Sequence, residues 1–320
     1  MQIALAPMEG LTNYIYRRAH RRAFPRIHRY YSPFITPNSS HKLTTRELSD
    51  VLPENNEGQA LVPQILTSSA EDFLWCAEKL HSLGYGEVDL NLGCPSGTVV
   101  SKGRGAGFLA RPRELEAFLD SVFARCLCRV SVKTRLGMES PEEFPTLLAL
   151  LRRYPLAGLI VHPRTRAEQY KGAPHRECFR LALEGSPFPV VYNGDLFCER
   201  DVRAFAGEYP AAAGLMLGRG LIADPGLERR LAGEAPAKEQ YHAFIDEVLE
   251  GYLSVWRDKK AAIAHMKEIW CYMISLFPDS RRHAKAIRKA GTVGDYRAAV
   301  EALFADRDPA PLDEWTFGRL

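Results

Sequence analysis

Residues 89–95, Asp-Leu-Asn-Leu-Gly-Cys-Pro, are an apolar strand that runs into a Gly-Cys-Pro turn. Gly93 lets the chain turn without steric cost, and Pro95 biases Cys94 toward an extended backbone and removes one amide donor. Such a strand delivers a thiol to the edge of a sheet. A cysteine more often packs as a small hydrophobic side chain, but the Asn-x-Gly-Cys-Pro setting favours a functional thiol here.

Short, nearly uniformly apolar runs like this one recur along the chain, with helical patterns between them at 70–83, 113–125 and 142–153. Uniformly apolar strands are typical of a parallel sheet that is buried on both faces. Eight strand–helix units within about 230 residues predict an α/β fold, a (β/α)8 TIM barrel. A doubly wound sheet is the alternative, but no Gly-x-Gly-x-x-Gly follows the first strand. The predicted strands are 3–6, 29–35, 61–66, 88–92, 130–134, 158–161, 189–192 and 214–217.

The strand pattern stops after Gly-Glu-Ala-Pro at 233–236. Helical patterns follow at 241–256, 259–276, 280–290 and 295–304. The chain is therefore predicted to hold two domains, a catalytic barrel over residues 1–235 and a small C-terminal helical-bundle domain over residues 236–320.

Composition is ordinary for a soluble globular protein, with 320 residues, 46% hydrophobic, 25% charged and a net charge of +3. The seven cysteines are odd in number and follow no disulfide spacing. Cys126 and Cys128 lack a second pair or a nearby histidine, so no metal site is predicted. No signal peptide and no membrane-spanning run is recognised. These features predict a cytoplasmic protein with reduced thiols and no membrane contact.

Polar residues follow seven of the eight predicted strands, and in a TIM barrel the active site lies at these carboxyl ends. Glycine allows backbone N–H groups to approach an anion, so the loops after the last two strands are predicted to bind phosphate, although they also suit simple tight turns. The polar strand ends are Pro7-Met8-Glu9, Gln64, Asn91 with Cys94, Lys133 with Arg135, His162 with Arg164, Asn193-Gly194-Asp195 and Gly218-Arg219-Gly220.

Three of these side chains suit a charged, amide-rich heterocycle. Lys133 needs a negative partner, which the N1/O2 edge of a reduced flavin would provide. Gln64 and Asn91 offer paired donor and acceptor groups. His162 suits a ring or phosphate contact, or a structural role. Arg219 adds a charge-assisted contact to a phosphate.

The ordered set of motifs resembles the tRNA-dihydrouridine synthases over most of residues 4–225, and the helical tail also fits. The second strand departs from the pattern, because residues 31–34 are Tyr-Ser-Pro-Phe where many members have Thr-Glu. The motifs are Ala-Pro-Met at 6–8, Asn-Leu-Gly-Cys-Pro at 91–95, Gly-Ala-Gly-Phe-Leu at 105–109, Val-Lys-Thr-Arg-Leu-Gly at 132–137, Val-His-Pro-Arg-Thr at 161–165, Asn-Gly-Asp at 193–195 and Leu-Gly-Arg-Gly at 217–220.

This resemblance implies an FMN enzyme that reduces the C5–C6 double bond of a specific uridine in tRNA, with NADPH as the electron source. Cys94 would donate the proton to C5, because a thiol with an ordinary pKa near 8.5 is mostly protonated at neutral pH. Asn91, Arg135 and Arg164 would face the uracil or its ribose-phosphate. The residues carried over to FMN are Pro7, Met8, Glu9, Gln64, Lys133, His162, Asn193, Gly194, Asp195, Gly218 and Arg219.

Two basic stretches suit an RNA backbone, although a charge run is usually a solvated helix face. The stretch in the tail is the stronger prediction, because the helix near the first strand also suits the outside of the barrel. The predicted partner is tRNA, without an obligate protein partner, and the enzyme is predicted to be a monomer. The tail residues are Arg281, Arg282, Lys285, Arg288 and Lys289, and the early ones are Arg17, Arg18, Arg21, Arg22, Arg26 and Arg29.

Two other functions compete with this interpretation. A small-molecule pyrimidine flavin reductase of the dihydroorotate-dehydrogenase type uses a similar Asn-x-x-Cys-Pro turn, but Gly93, Ser96 and the basic tail favour an RNA substrate. A tRNA-binding relative without redox chemistry is the second alternative. Intact Cys94, Lys133 and phosphate loops argue against it.

Overall fold

The computed structural model describes residues 1–312. Within them, nine strand segments form one sheet in the order β3-β2-β1-β9-β8-β7-β6-β5-β4. The segments are β1 (Gln2–Leu5), β2 (Arg29–Tyr31), β3 (Leu61–Val62), β4 (Gln64–Ile65), β5 (Glu87–Leu92), β6 (Arg129–Thr134), β7 (Gly158–Val161), β8 (Val190–Tyr192) and β9 (Gly214–Leu217).

The sheet closes because β3 and β4 are two halves of one extended run, divided at Pro63. A proline has no N–H to donate to a ladder, but the Pro63 carbonyl still accepts from the Asp89 amide at 2.9 Å. β3 pairs in parallel with β2, and β4 pairs in parallel with β5. One extended run therefore borders both ends of the sheet, which gives eight strand positions and confirms the (β/α)8 barrel. All eight predicted strands overlap observed ones.

Helices alternate with the strands and then continue alone to the end of the described chain. Pro112 begins the helix after the Gly-rich turn at 105–110, as a proline at a first helical position often does. Within residues 1–312, every helix is too short or too polar to span a bilayer. The helices are α1 (Tyr14–Ala23), α2 (Thr45–Val51), α3 (Ala70–Ser82), α4 (Gly97–Val100), α5 (Pro112–Arg125), α6 (Phe144–Leu151), α7 (Arg176–Leu183), α8 (Glu199–Glu208), α9 (Arg219–Ala223), α10 (Leu227–Leu231), α11 (Lys238–Val255), α12 (Lys259–Met273), α13 (Arg281–Lys289) and α14 (Val293–Asp306), with 3-10 turns at Pro53–Asn55, Gly105–Ala110, Pro141–Glu143 and Ile274–Leu276.

The chain divides into two compact units. The first unit contains Met1–Pro7, His28–Asp195 and Tyr209–Met216, and the second contains Met8–Ile27, Leu196–Glu208 and, of the described residues that follow, 217–312. The first unit holds the sheet around an apolar cluster that includes Ala4, Ala6, Tyr31, Val62, Ile160 and Met216. The predicted domain boundary falls between α10 and α11 and stays a prediction.

The second unit brings α1 together with the C-terminal helices. At Gly251 on α11, a Cβ atom would lie 2.5 Å from Cγ2 of Ile15 on α1, so the two helices approach closely only because this residue is glycine. Tyr16 of α1 packs edge-on against Phe244 of α11, with ring centroids 5.3 Å apart. The first helix of the chain is thus a member of the helical unit.

Within the second unit, a buried ion pair joins the end of α9 to α10 and contacts α11. The Asp224 carboxylate accepts from Arg230 Nε at 2.9 Å and from the Tyr241 hydroxyl at 2.7 Å. Arg230 also donates to the Tyr241 oxygen at 3.1 Å. Because the side chains of Asp224 and Arg230 are only 2% and 8% exposed, each depends on the other as its buried counter-ion.

We expect Asp224→Ala to lower the free energy of unfolding by about 3–5 kcal/mol, because it leaves a buried guanidinium without its counter-ion. Urea denaturation followed by circular dichroism measures the loss. The double variant Asp224→Leu with Arg230→Met removes both charges together and should regain most of the lost stability. A single-variant cost below about 1 kcal/mol, as for an exposed pair, would contradict this account.

Candidate functional site

Two rows of polar side chains cross the barrel where β4, β5 and β6 lie side by side. The strand register aligns Gln64 with Asp89 and Asp89 with Ser131 in one row, and Asn91 with Lys133 in the row two residues nearer the carboxyl ends. Residues two apart on a strand share a face, so both rows point the same way. Asp89 and Gln64 are fully buried.

The Cys94 turn is held by the side chain of Asn91. Asn91 Oδ1 accepts from the amides of Gly93 and Cys94, at 3.0 and 2.9 Å. The Cys94 carbonyl accepts from the Ala106 amide at 3.1 Å, and the Cys94 side chain is partly buried. The predicted strand-to-turn geometry therefore places the thiol at the carboxyl end of β5, with its backbone fixed on both sides.

The side-chain amides of Asn91 and Gln64 form a chain of hydrogen bonds that ends at the Asp89 carboxylate. Asn91 Nδ2 donates to Gln64 Oε1 at 2.7 Å, and Gln64 Nε2 donates to the Asp89 carboxylate at 2.7 Å. The Ser131 hydroxyl donates to the other carboxylate oxygen at 2.8 Å. Burial raises the pKa of Asp89 to about 7, against the opposing effect of these hydrogen bonds and of Lys133.

Sequence reasoning gave Asp89 no role. The signal was present, because a carboxylate two residues before Asn91 in an otherwise apolar strand must face the same way as Asn91 and needs a buried partner. Sequence alone does not show that Gln64, 25 residues away, is that partner.

Lys133 projects from β6 beside Asn91 and is partly buried. Burial and the nearby Arg135 lower the pKa of the Lys133 amine to about 8, while Asp89 and Cys94 act in the opposite direction. Among the described residues, none forms a hydrogen bond or ion pair with this amine. A cation in that state suits an electron-rich group of a ligand.

Arg135, almost completely buried, joins three loops. Its Nε donates to the Gly93 carbonyl at 2.9 Å, within the Cys94 turn. Its Nη1 donates to the carbonyls of Thr165 and Gln169, at 2.9 and 2.7 Å. The guanidinium also lies over the ring of Tyr170, 5.3 Å from its centroid. Its predicted contact with substrate stays a prediction, whereas its structural contacts are with protein carbonyls.

Arg164, also fully buried, uses all five of its N–H groups on protein. It forms a two-pronged ion pair with the Asp195 carboxylate, in which Nη1 donates to Oδ1 at 2.9 Å. The same Nη1 lies 3.3 Å from His162 Nε2. Nε and Nη2 donate to the carbonyls of Lys171 and Gly172. The structure therefore joins His162, Arg164 and Asp195, and the predicted substrate contact of Arg164 stays a prediction.

The loop after β8 carries the predicted phosphate residues Asn193 and Gly194. Asn193 Nδ2 donates to the Met216 carbonyl at 2.8 Å, which ties this loop to β9. A Cβ atom at Gly194 would lie 2.2 Å from the Tyr192 hydroxyl, so only glycine fits there. Pro7 leaves the end of β1 and is partly buried.

The remaining predicted cofactor residues belong to the second unit. The Met8 amide donates to Thr12 Oγ1 at 2.8 Å in a turn that leaves Glu9 exposed. Gly218 caps the start of α9, and the Arg219 guanidinium lies over the Phe197 ring at 4.9 Å. Gly218 and Arg219 directly follow β9, and Met8 and Glu9 follow β1 after Ala6 and Pro7.

The basic stripe of the tail lies on α13. All five residues of the stripe, 281, 282, 285, 288 and 289, are exposed, while His283 and Ile287 on the opposite side of the helix are buried. None of the five forms an ion pair with a described residue. In the early cluster, by contrast, Arg17 is buried, and ion pairs occupy Arg22 (with Glu247), Arg26 (with Glu234) and Arg29 (with Glu87).

A family model described as dihydrouridine synthase matches residues 4–314. The tRNA-dihydrouridine(16) synthase of Pseudomonas putida is 30% identical over 327 residues, covering 95% of this chain and 100% of the relative. A protein of Aquipseudomonas alcaligenes with the same name is 30% identical, covering 82% of this chain and 85% of the relative. The probable tRNA-dihydrouridine synthase of Staphylococcus aureus is 30% identical over 95% of this chain and 93% of the relative.

Solved structures are similar in fold at low sequence identity. A variant of NCR from Zymomonas mobilis has a TM-score of 0.51 at 16% identity, covering 73% of this chain and 87% of the other. Morphinone reductase has a TM-score of 0.50 at 15% identity, covering 76% of this chain and 88% of the other. At this level of identity the likeness describes the fold alone.

Gly105 lies against the Cys94 turn at φ +56°, where an added Cβ atom would be 3.0 Å from Cys94 Cβ. We expect Gly105→Ala to lower the free energy of unfolding by about 1–2 kcal/mol, because only glycine adopts this backbone without strain. The same variant should change the rate at which iodoacetamide alkylates Cys94, measured by peptide mass spectrometry relative to exposed Cys271.

The matched control is Gly97→Ala, because a Cβ atom there meets nothing within 4 Å. It should leave the Cys94 alkylation rate unchanged. Equal effects of the two variants would show that Gly105 does not constrain the turn.

Proposed function

Because the chain belongs to the dihydrouridine synthase family, we propose that it reduces the C5–C6 double bond of a uridine in tRNA to 5,6-dihydrouridine, with FMN as cofactor and NADPH as reductant. One observation carries the proposal: the Cys94 turn is fixed by Asn91, and Asn91 is register partner to a lysine whose amine has no described protein partner. The proposed partner is tRNA alone, with the enzyme acting as a monomer.

The residues present fit FMN. The Lys133 amine offers a positive charge to the electron-rich edge of the flavin, and Gly194 offers bare backbone where a side chain would not fit. Glycine at 218 and the guanidinium of Arg219 suit the phosphate, because backbone N–H groups and arginine both bind such anions. We assign FMN to Pro7, Met8, Glu9, Gln64, Lys133, His162, Asn193, Gly194, Asp195, Gly218 and Arg219.

When bound, FMN supplies the hydride for C6 of the uracil ring. The chain supplies the proton for C5, and we assign it to the thiol of Cys94. A positioned general acid contributes about 10²–10⁴-fold to such a step. The hydrogen bonds from the amides of Gly93 and Cys94 to Asn91 hold the turn that carries this thiol at the end of β5.

A uracil inside folded RNA must leave its stack before it enters a barrel, which costs a few kcal/mol. Contacts with the RNA backbone elsewhere offset that cost. The exposed stripe on α13 supports this role, because its charges are not neutralised by described acidic residues. The early cluster is a weaker candidate, since ion pairs occupy three of its arginines.

The target uridine is proposed to be position 16. The relatives from Pseudomonas putida and Aquipseudomonas alcaligenes are named for that position, and the first of them is matched over its whole length. Family membership also favours tRNA over a free pyrimidine, the substrate of the alternative flavin reductase.

We expect Cys94→Ala to bind FMN and to be reduced by NADPH at the wild-type rate, but to form dihydrouridine at least about 100-fold more slowly, since only the proton donor is lost. Flavin absorbance reports the first two properties, and mapping of dihydrouridine along tRNA reports the third. Cys271→Ala, an exposed cysteine on α12, is the control and should be fully active. Normal turnover by Cys94→Ala would refute the assignment.

We expect Arg281→Gln, Arg282→Gln and Lys285→Gln together to weaken tRNA binding and to reduce the slope of log Kd against log salt by about two to three, because each basic contact with a phosphate releases a counter-ion. Fluorescence anisotropy at several KCl concentrations measures both. A control with the same loss of charge, Arg113→Gln and Arg125→Gln on α5 and Arg153→Gln just after α6, should leave the slope near the wild-type value. An unchanged slope in the α13 variant would count against this surface.

A further inference from the structure

Asp89 lies at one end of a chain of hydrogen bonds that runs through the side-chain amides of Gln64 and Asn91 to the Cys94 turn. It is fully buried on β5, and its two register partners, Gln64 on β4 and Ser131 on β6, both donate to its carboxylate. The two donor distances are 2.7 and 2.8 Å. The carboxylate is thus the end of the chain of hydrogen bonds and, when ionised, only accepts.

The acceptor at this end and the backbone N–H donors of Gly93 and Cys94 at the other end require the same orientation of both side-chain amides between them. Because Asp89 accepts, Gln64 must turn its NH2 group downward and its carbonyl oxygen toward Asn91. Asn91 then donates its NH2 group to that oxygen at 2.7 Å and keeps its own oxygen for the amides of Gly93 and Cys94. A side-chain amide has one donor end and one acceptor end, so turning Gln64 over would break two hydrogen bonds and turning Asn91 over would break three.

We infer that Asp89 is a positioning residue for the proton-donating thiol. Asp89 holds the side chain of Gln64 by a hydrogen bond, Gln64 holds Asn91, and Asn91 accepts from the backbone amides of the Cys94 turn. Asp89 also faces the charged groups Lys133 and Glu87 and the hydroxyl of Tyr31, and the Lys133 amine is the cation that opposes its burial. This inference rests on the proposed function for its activity assay but not for its thiol assay.

The test compares two substitutions of similar size. Asp89→Asn keeps an oxygen for Gln64 and offers an NH2 group to the Ser131 oxygen, so the chain keeps its direction. Asp89→Leu fills the space but removes the acceptor, so Gln64 loses the partner that orients it. Each purified variant is examined for FMN binding, reduction by NADPH, dihydrouridine formation and alkylation of Cys94 relative to Cys271 in the same sample.

We expect Asp89→Leu to change the relative alkylation rate of Cys94 by about ten-fold, the effect of one lost buried hydrogen bond. Its turnover number for dihydrouridine should fall by about 100-fold, as for a misplaced catalytic group, while the KM for tRNA stays near wild type. Asp89→Asn should stay within about three-fold of wild type in every measurement, because asparagine keeps an acceptor oxygen for Gln64. FMN binding should be retained by Asp89→Asn, and Asp89→Leu, which releases Gln64 from its partner, is assayed at saturating FMN.

Three results would overturn the inference. Wild-type alkylation and turnover in a folded Asp89→Leu variant would show that the site needs only an apolar filler at this position. Equal losses in the Asn and Leu variants would show that the charge of Asp89, and not its accepting geometry, matters. If Asp89→Leu does not fold, Gln64→Leu, which breaks the chain one step higher, must give the Cys94 alkylation change expected above, or the inference fails. Absence of dihydrouridine with wild-type protein would instead refute the proposed function.

Discussion

Closure of the barrel through residues 61–65 is the constraint on which the site depends. This run pairs with β2 through its first half and with β5 through its second half, and Pro63 stands at the change. Without closure, Gln64 would lie at a free edge, and Asp89 and Asn91 would face an unfilled space. Closure instead places Gln64 between them at 2.7 Å from each. The same geometry gathers the carboxyl ends of the parallel strands on one side of the sheet.

Much of this architecture is predictable from local sequence, because apolar runs and their spacing report strands directly. The Gly-Cys-Pro turn after β5, the lysine at the end of β6 and the glycines after β8 and β9 all stand where the pattern places them. What local sequence does not encode is the partner of each polar side chain. Asp89 depends on a glutamine from another strand, and the helix beginning at Tyr14 packs against α11, more than 200 residues later. Such pairings arise only when distant segments are packed together.

Arg135 and Arg164, which follow β6 and β7, are two further residues whose partners local sequence does not encode. The resemblance to the dihydrouridine synthases implies that Arg135 and Arg164 face the uracil or its ribose-phosphate, and this stays a prediction. In the structure Arg164 donates all five N–H groups to protein, and Arg135 donates from Nε and Nη1 to carbonyls of the loops after β5 and β7. A buried guanidinium costs several kcal/mol unless it is paired and hydrogen-bonded, so these contacts hold the loops after β5, β7 and β8 together.

Pairing therefore separates the basic residues into two groups with different physical consequences. Arg135, Arg164 and Arg230 are buried and paired, so their charges hold the fold and contribute little field outside it. The charges on α13 are exposed without described acidic partners, and an unneutralised row of charge at helical spacing attracts a polyanion over about a Debye length. Only the second group can respond to salt as an RNA-binding surface does. A net charge of +3 would give no hint of this, because the sum hides which charges are already compensated.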